Sequence, residues 1–396
     1  MREGSGEVTR LGANGTYDLD LVLITIVLVT VGLIMIASSG QMVVLGKKAG
    51  GPHFILFYRQ LLFAALGACF LIICMKLPYR LYERYALHML IAGFVLLAAV
   101  LVIGTEVRDA RRWISVGGID FQPVEAAKLA LVVFLAAKIS AWGDRVRDFK
   151  RGFAPLVGVG LLMAAMLVLQ PNYSNAGFVV VLTLLMLFIG GCRLRHILVL
   201  AIPFAVAAPF LLKVPKIMSR LMVFLDRGHM DPWAGYQHNQ SLIALGSGAL
   251  FGCGPGRGHQ KFRFLPDAHT DFIYSIIGEE LGLVGTLVIL FLFVLLLRRA
   301  ARTARRAPNT FGYLLAMGLG LMVFMTAVIN ISMTVGLLPV AGLPLPFVSY
   351  GGSCLVASMA AVGILVNVSF EGKEKKLPVE FIAAKRTGRL MYARRG

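Results

Sequence analysis

Runs of about twenty apolar residues recur along this chain of 396, the length a helix needs to cross the hydrocarbon core of a bilayer. They lie near 20–38, 56–75, 86–104, 124–141, 153–169, 175–190, 196–213, 272–297, 310–335 and 353–370. Backbone groups in lipid must find partners within their own segment, so each run is expected to be a helix. The expected fold is therefore an all-α integral membrane protein with about ten transmembrane helices and one large loop, 214–271. Composition agrees: 58% of residues are hydrophobic and 15% charged, where a soluble domain has about half and about a quarter.

The loops set the orientation. With the N-terminus placed in the cytoplasm, the inside segments carry 24 Lys and Arg and the outside segments 12. Seven of those 12 lie between Lys213 and Asp271, and a long translocated loop weighs little, so the effective contrast is 24 against 5. The expectation is a protein of the cytoplasmic (inner) membrane with both termini inside and 214–271 extracytoplasmic. Its parts are a cytoplasmic tail (1–18), a polytopic domain (19–370) and a basic cytoplasmic tail (371–396). The first eighteen residues lack a cleavable signal pattern, so the first span should serve as the insertion signal. The net charge of +19 is explained by these topology anchors rather than by nucleic acid. Cys69, Cys74, Cys192, Cys253 and Cys354 show neither a disulfide framework nor zinc-ligand spacing.

Four polar sets fall on the expected outer side. The first runs Asp109-Ala110-Arg111-Arg112-Trp113-Ile114, then Gln122-Pro123-Val124-Glu125-Ala126-Ala127-Lys128. Pro123 suits a first helical turn, which makes Glu125 and Lys128 i, i+3 neighbours. Such a pair entering a membrane helix is either a functional site or a structural salt bridge capping the span. The second, Gln170-Pro171-Asn172-Tyr173-Ser174-Asn175, is a short turn that turn chemistry alone explains.

The third set is the large loop, with Asp231, Gln237, Gln240, Ser241, glycines at 246, 248, 252, 254, 256 and 258, and Gln260-Lys261. The glycines let backbone turn tightly or approach a ligand, but match neither nucleotide-binding spacing. Histidines 229, 238, 259 and 269 lack a metal spacing. Asp271 stands where the loop re-enters the membrane. Partial desolvation there would raise a carboxyl toward general-base values, and an N-cap role is equally available to it. The fourth set is Asn330 with Pro339 to Ser353, whose three prolines and double glycine predict irregular backbone, tolerated at membrane depth only where protein buries it or it lines a cavity.

From about residue 17 to 370 these motifs resemble the FtsW/RodA/SpoVE (SEDS) family of cell division, elongation and sporulation. The resemblance rests on Ala110 to Ile114, Gln122 to Lys128, Leu265 to Phe272, Glu279 to Gly285 and Gly342 to Ser353. Gly235-Tyr236-Gln237, Gln240-Ser241-Leu242 and Gln260-Lys261 are most similar to the division branch. The resemblance implies ten helices, Asp271 as catalytic aspartate, and polymerisation of lipid II, the undecaprenyl-pyrophosphate-linked disaccharide-pentapeptide, into peptidoglycan. It further implies a class B penicillin-binding protein and other divisome membrane proteins as partners, with action at the septum. The chain departs from the family at Asn172, Ser174 and Asn175, where an Asp, a Gly and a Thr are usual, and at Ala249 and Cys354.

The expected chemistry has Asp271 accept the proton of an acceptor sugar hydroxyl while fixed positive charge meets the departing pyrophosphate. Arg111, Lys128 and Lys261 are the expected cations. Trp113, Gln122, Glu125, Gln237, Gln240, Ser241, His269, Thr270, Ser349 and Tyr350 complete the expected substrate site. A divalent cation, magnesium or manganese, could share the pyrophosphate's charge, though no acidic cluster requires one. Two other classes fit the same chain: a lipid II flippase, which needs no base at Asp271, and a divisome scaffold without catalysis.

Overall fold

The computed structural model describes residues 18–44, 55–106, 111–117, 119–200, 202, 213–225, 232–261, 265–266 and 268–371. Its helices are α1 (Leu19–Val44), α2 (Ile55–Lys76), α3 (Tyr79–Ile103), α4 (Pro123–Trp142), α5 (Ala154–Leu169), α6 (Tyr173–Ile189), α7 (Pro215–Leu225), α8 (Pro232–Ser247), α9 (Ile273–Arg306), α10 (Thr310–Thr334) and α11 (Gly352–Glu371). Nine expected spans coincide with helices to within a few residues, apart from the first, which runs on to Val44, the third, which starts at Tyr79, and the eighth, which runs on to Arg306. Most of the seventh, 201 and 203–212, lies outside the described residues, as do 1–17, 372–396, Asp109, Ala110, His229, Asp231 and Asp267.

Seven described helices are long and apolar enough to cross a membrane. The shorter α6 and the charged α4, with Glu125, Lys128 and Lys138, are not among them. α4 packs inside the bundle, with most of its residues buried, and so need not be apolar throughout. The outer helices α2 and α3 instead turn large apolar side chains such as Leu62, Phe70 and Val95 outward. The helices touch closely where one lacks a side chain: a Cβ on Gly363 of α11 would lie 2.4 Å from the Leu71 carbonyl of α2.

Two features differ from expectation. The described residues between Thr105 and Phe121 form a small antiparallel sheet, β1 (Thr105–Glu106), β2 (Arg111–Val116) and β3 (Ile119–Phe121), pairing Thr105 with Trp113 and Ile114 with Phe121. The large loop is also not merely polar coil, because it carries α7 and α8.

α9 has 34 residues, about 50 Å if straight, but Gly282 breaks it with φ 70° and ψ −167°. The 249–254 segment enters the break. Leu283 and Val284 donate their N–H groups to the carbonyls of Ala249 (2.9 Å) and Leu250 (3.2 Å). The carbonyls of Glu279 and Glu280 accept from the N–H groups of Cys253 (3.0 Å) and Gly254 (3.1 Å). Two bonds lost from the helix are replaced by four to the inserted chain. A side chain at Gly252 would meet the Glu280 carbonyl at 2.2 Å, and one at Gly282 the Gly252 nitrogen at 2.4 Å. At these two positions, the glycines serve an approach to the protein's own helix rather than to a ligand.

Candidate active site

Just before α9, three consecutive carbonyls are each held by a different group. His269 accepts from the Tyr350 N–H (2.9 Å), Thr270 from Ser349 Oγ (2.6 Å) and Asp271 from Asn330 Nδ2 (2.8 Å). Asn330, wholly buried on α10, also donates to the Leu343 carbonyl (2.6 Å), and Ser349 Oγ accepts from the Leu345 N–H (2.8 Å). Gln60 of α2 donates to the Ser349 carbonyl (3.2 Å), and the His269 and Tyr350 rings meet edge to face. The 342–351 stretch is irregular as expected, and Leu343, Leu345, Phe347, Val348 and Ser349 are buried by protein. Phe347 has φ 66°, a strained value for a residue with a side chain, and stacks on Phe293.

Asp271 does not cap α9. The capping position is Phe272, with no side-chain cap. Its carboxylate instead faces guanidinium groups. From the point where a Cβ of Gly342 would stand, Asp271 Oδ2 is 3.6 Å away and Arg220 Nη2 is 4.0 Å away. Burial pulls the Arg112 pKa down, the charge of Arg220 pulls it further, and Asp271 and Tyr173 hold it up. Burial likewise lowers Arg220, against the support of Asp271. An arginine stays protonated through shifts of this kind. The result is two partly buried cations crowded beside one carboxylate.

The 170–174 turn supports both arginines. Arg112 donates to the carbonyls of Gln170 (3.4 Å) and Pro171, and Arg220 to Ser174 Oγ (3.4 Å). Gln170 Nε2 ties the turn to the Leu97 carbonyl of α3 at 2.9 Å.

Several expected site residues are committed elsewhere. Arg111 is half exposed and pairs with Glu106 at 3.5 Å, because neighbours on a strand point to opposite faces and Arg112 is the one turned inward. Glu125 and Lys128 form the expected pair at 2.8 Å; Lys128 is 1% exposed and lies over the Phe178 ring, sealed from the surface. Lys261 is buried with its donors on Glu280 Oε1 (2.8 Å), Ser38 Oγ (3.0 Å) and the Gly256 carbonyl (2.7 Å). It fastens the loop to α9 and α1 instead of presenting a cation. Glu279 accepts from the His259 and Gln260 N–H groups in the same fastening.

Ser241 is also structural, bonded to Ser275 Oγ (2.6 Å) and to the Thr334 carbonyl (2.8 Å). The Gln122 N–H meets Ser353 Oγ (2.8 Å), the Trp113 carbonyl accepts from Thr105, and Gln237 and Gln240 are partly exposed on α8. Arg220 and Gln60 carry no motif that singles them out. Arg112 stands one residue from the arginine expected to act.

A polytopic helical membrane protein, with a carboxylate pinned by its backbone beside two arginines at one end of the bundle, is the class these features define. The chain belongs to the FtsW/RodA/SpoVE family, whose model, described as "Cell cycle protein", matches residues 19–374. It is 39% identical over 358 residues to "Probable peptidoglycan glycosyltransferase FtsW" of Trichlorobacter lovleyi, spanning 89% of this chain and 93% of the relative. It is 37% identical over 355 residues to "Stage V sporulation protein E" of Bacillus subtilis, spanning 89% and 96%. Among solved structures, a chain from work on the structural coordination of polymerization and crosslinking by a peptidoglycan synthase complex superposes with a TM-score of 0.73, at 29% identity over 91% of this chain and 99% of that one. The rod shape determining protein RodA of Thermus thermophilus superposes with a TM-score of 0.65, at 29% identity over 89% and 97%.

Proposed function

We propose that this protein is a peptidoglycan glycosyltransferase that polymerises lipid II on the outer face of the cytoplasmic membrane, in septal wall synthesis during division. The observation that carries the reading is the partly buried pair Arg112 and Arg220 beside Asp271. Two crowded cations call for an anion, and a glycosyl pyrophosphate brings one next to a carboxylate able to take a proton. The relatives named as glycosyltransferases and the likeness to a synthase complex support the same reading.

In this mechanism Asp271 accepts the proton of the acceptor sugar's 4-hydroxyl as that oxygen bonds to the donor's anomeric carbon. The bond from that carbon to the pyrophosphate oxygen breaks, and the electron pair leaves on undecaprenyl pyrophosphate. Arg112 and Arg220 meet that developing charge as donors already in place. The Asn330, Ser349 and Tyr350 bonds hold the 269–271 backbone so that the carboxylate needs little reorganisation. Among the described residues no three His, Cys, Asp or Glu side chains converge as a metal site. A class B penicillin-binding protein would supply crosslinking, alongside other divisome membrane proteins, with both termini of this chain in the cytoplasm.

The test is Asp271→Asn, assayed with purified protein, its transpeptidase partner and lipid II. Since Phe272 occupies the cap position, the isostere should keep fold and partner binding while glycan polymerisation falls by roughly 10²–10⁴-fold. A well-folded variant that still makes long strands at near wild-type rate overturns the assignment. A variant that loses polymerisation while lipid II translocation continues separates the enzyme from a flippase.

A further inference from the structure

At the opposite end of the bundle from Asp271, the start of α1, the last turns of α9 and the end of α11 enclose a cavity of about 270 Å³. Asp18, Asp20, Arg299, Arg302, Thr303 and Arg306 line it. Arg299 reaches both aspartates, Asp18 at 3.8 Å and Asp20 at 2.5 Å, so their charges oppose its own. The Asp18 N–H on Ser369 Oγ (3.1 Å) fastens the α1 and α11 walls together. Three arginines against two aspartates leave the lining cationic. That single net charge is on the side of Arg302 and Arg306, which are exposed and one helical turn apart.

Basic residues at a helix C-terminus complement the helix dipole, and that accounts for their presence in sequence. It does not account for two like charges at i, i+4 facing one cavity, an arrangement that disfavours the helix unless an anion joins it. Nor does it account for Thr303. Other buried threonines of the bundle satisfy their hydroxyls on their own helix: Thr25 on Leu21, Thr183 on Val179 and Thr326 on Met322, at 2.7–2.8 Å. Thr303 is 2% exposed and lines the cavity, yet its hydroxyl, closed off from solvent, has no hydrogen-bond partner.

The depth is telling as well. The apolar run of α9 ends at Leu297 and that of α1 begins at Leu19, so the cavity lies where the bilayer places its headgroups. We propose that this cavity binds the phosphodiester headgroup of an anionic phospholipid, with Arg302 and Arg306 on the phosphate oxygens and the Thr303 hydroxyl turning about its side-chain bond to meet the headgroup or its water. Such a lipid would tie α1, α9 and α11 together where both chain tails leave the membrane.

The test uses full-length protein in nanodiscs of phosphatidylcholine containing a minor fraction of phosphatidylglycerol, with retained lipid counted by native mass spectrometry after release into detergent. Wild type should retain phosphatidylglycerol over phosphatidylcholine, and R302Q/R306Q should lose about thirtyfold of that preference. Thr303→Val should weaken retention severalfold while Thr303→Ser keeps it, which separates the hydroxyl from packing. All of these variants except those at Thr303 change exposed side chains, so folding is not at stake in the main arm. Unchanged retention in R302Q/R306Q overturns the proposal. Displacement of the lipid by millimolar glycerol phosphate or inorganic phosphate overturns it too, by showing a site for soluble phosphates instead.

Discussion

Arg111 and Arg112 offer a paired experiment at the scale of one residue, since they differ in direction and little else. Arg112→Gln should cut polymerisation about 10²–10³-fold, the usual effect of losing one donor aimed at developing charge. Arg111→Gln should stay within about twofold, because an exposed pair such as Arg111 with Glu106 contributes little. Equal losses in the two would move the pyrophosphate site away from Arg220. Lys128 makes a different case. Lys128→Met strands Glu125 in a buried site and should cost about 3–5 kcal/mol in detergent melts, whereas exchanging the two residues should recover part of it. A swap as damaged as the singles would point to direct substrate contact. The place of Asp271, where a loop enters a membrane helix, was legible in the sequence, and its proposed role as base came from the family resemblance. Which arginine lies beside it was not, since the alternation that decides it belongs to strand β2, and apolar periodicity gives no sign of a strand there.

Elements carry the next lesson, through the break in α9. The run from 272 onward reads as one apolar span, and it is one span by length, but Gly282 interrupts its hydrogen bonding and 249–254 completes it. Gly282→Ala should therefore destabilise the protein by more than the roughly 1–3 kcal/mol of a non-glycine residue forced to positive φ, because its Cβ would also strike Gly252. Gly177→Ala, in α6 with open space around its Cβ, should be neutral or stabilise by about 1 kcal/mol. Thermal melts of the two variants check both, and a mild Gly282→Ala would mean the inserted segment is dispensable. Helix positions were readable because a twenty-residue apolar run has few other fates. The glycine-rich loop was not, because glycine spacing records a close approach without saying what is approached.

At the scale of the whole molecule, the basic stretch 298–306 and the loop that ends at Asp271 occupy opposite ends of the bundle. Cysteines placed singly at Ser247 and Arg305, both exposed, in a background lacking the five native thiols, should label from opposite sides of the membrane, Ser247 from outside. Labelling of position 305 alone from outside would invert the protein and remove the site from the wall side. One further consequence concerns the order in which the chain is made. The carbonyls of His269, Thr270 and Asp271 are held by Tyr350, Ser349 and Asn330, all of which emerge later from the ribosome. A nascent chain that has delivered Asp271 still lacks these clamps until α10 and the 342–351 stretch follow. Synthesis thus keeps the aspartate unassembled until the polypeptide is nearly finished, and a product truncated before residue 350 should insert yet be inert.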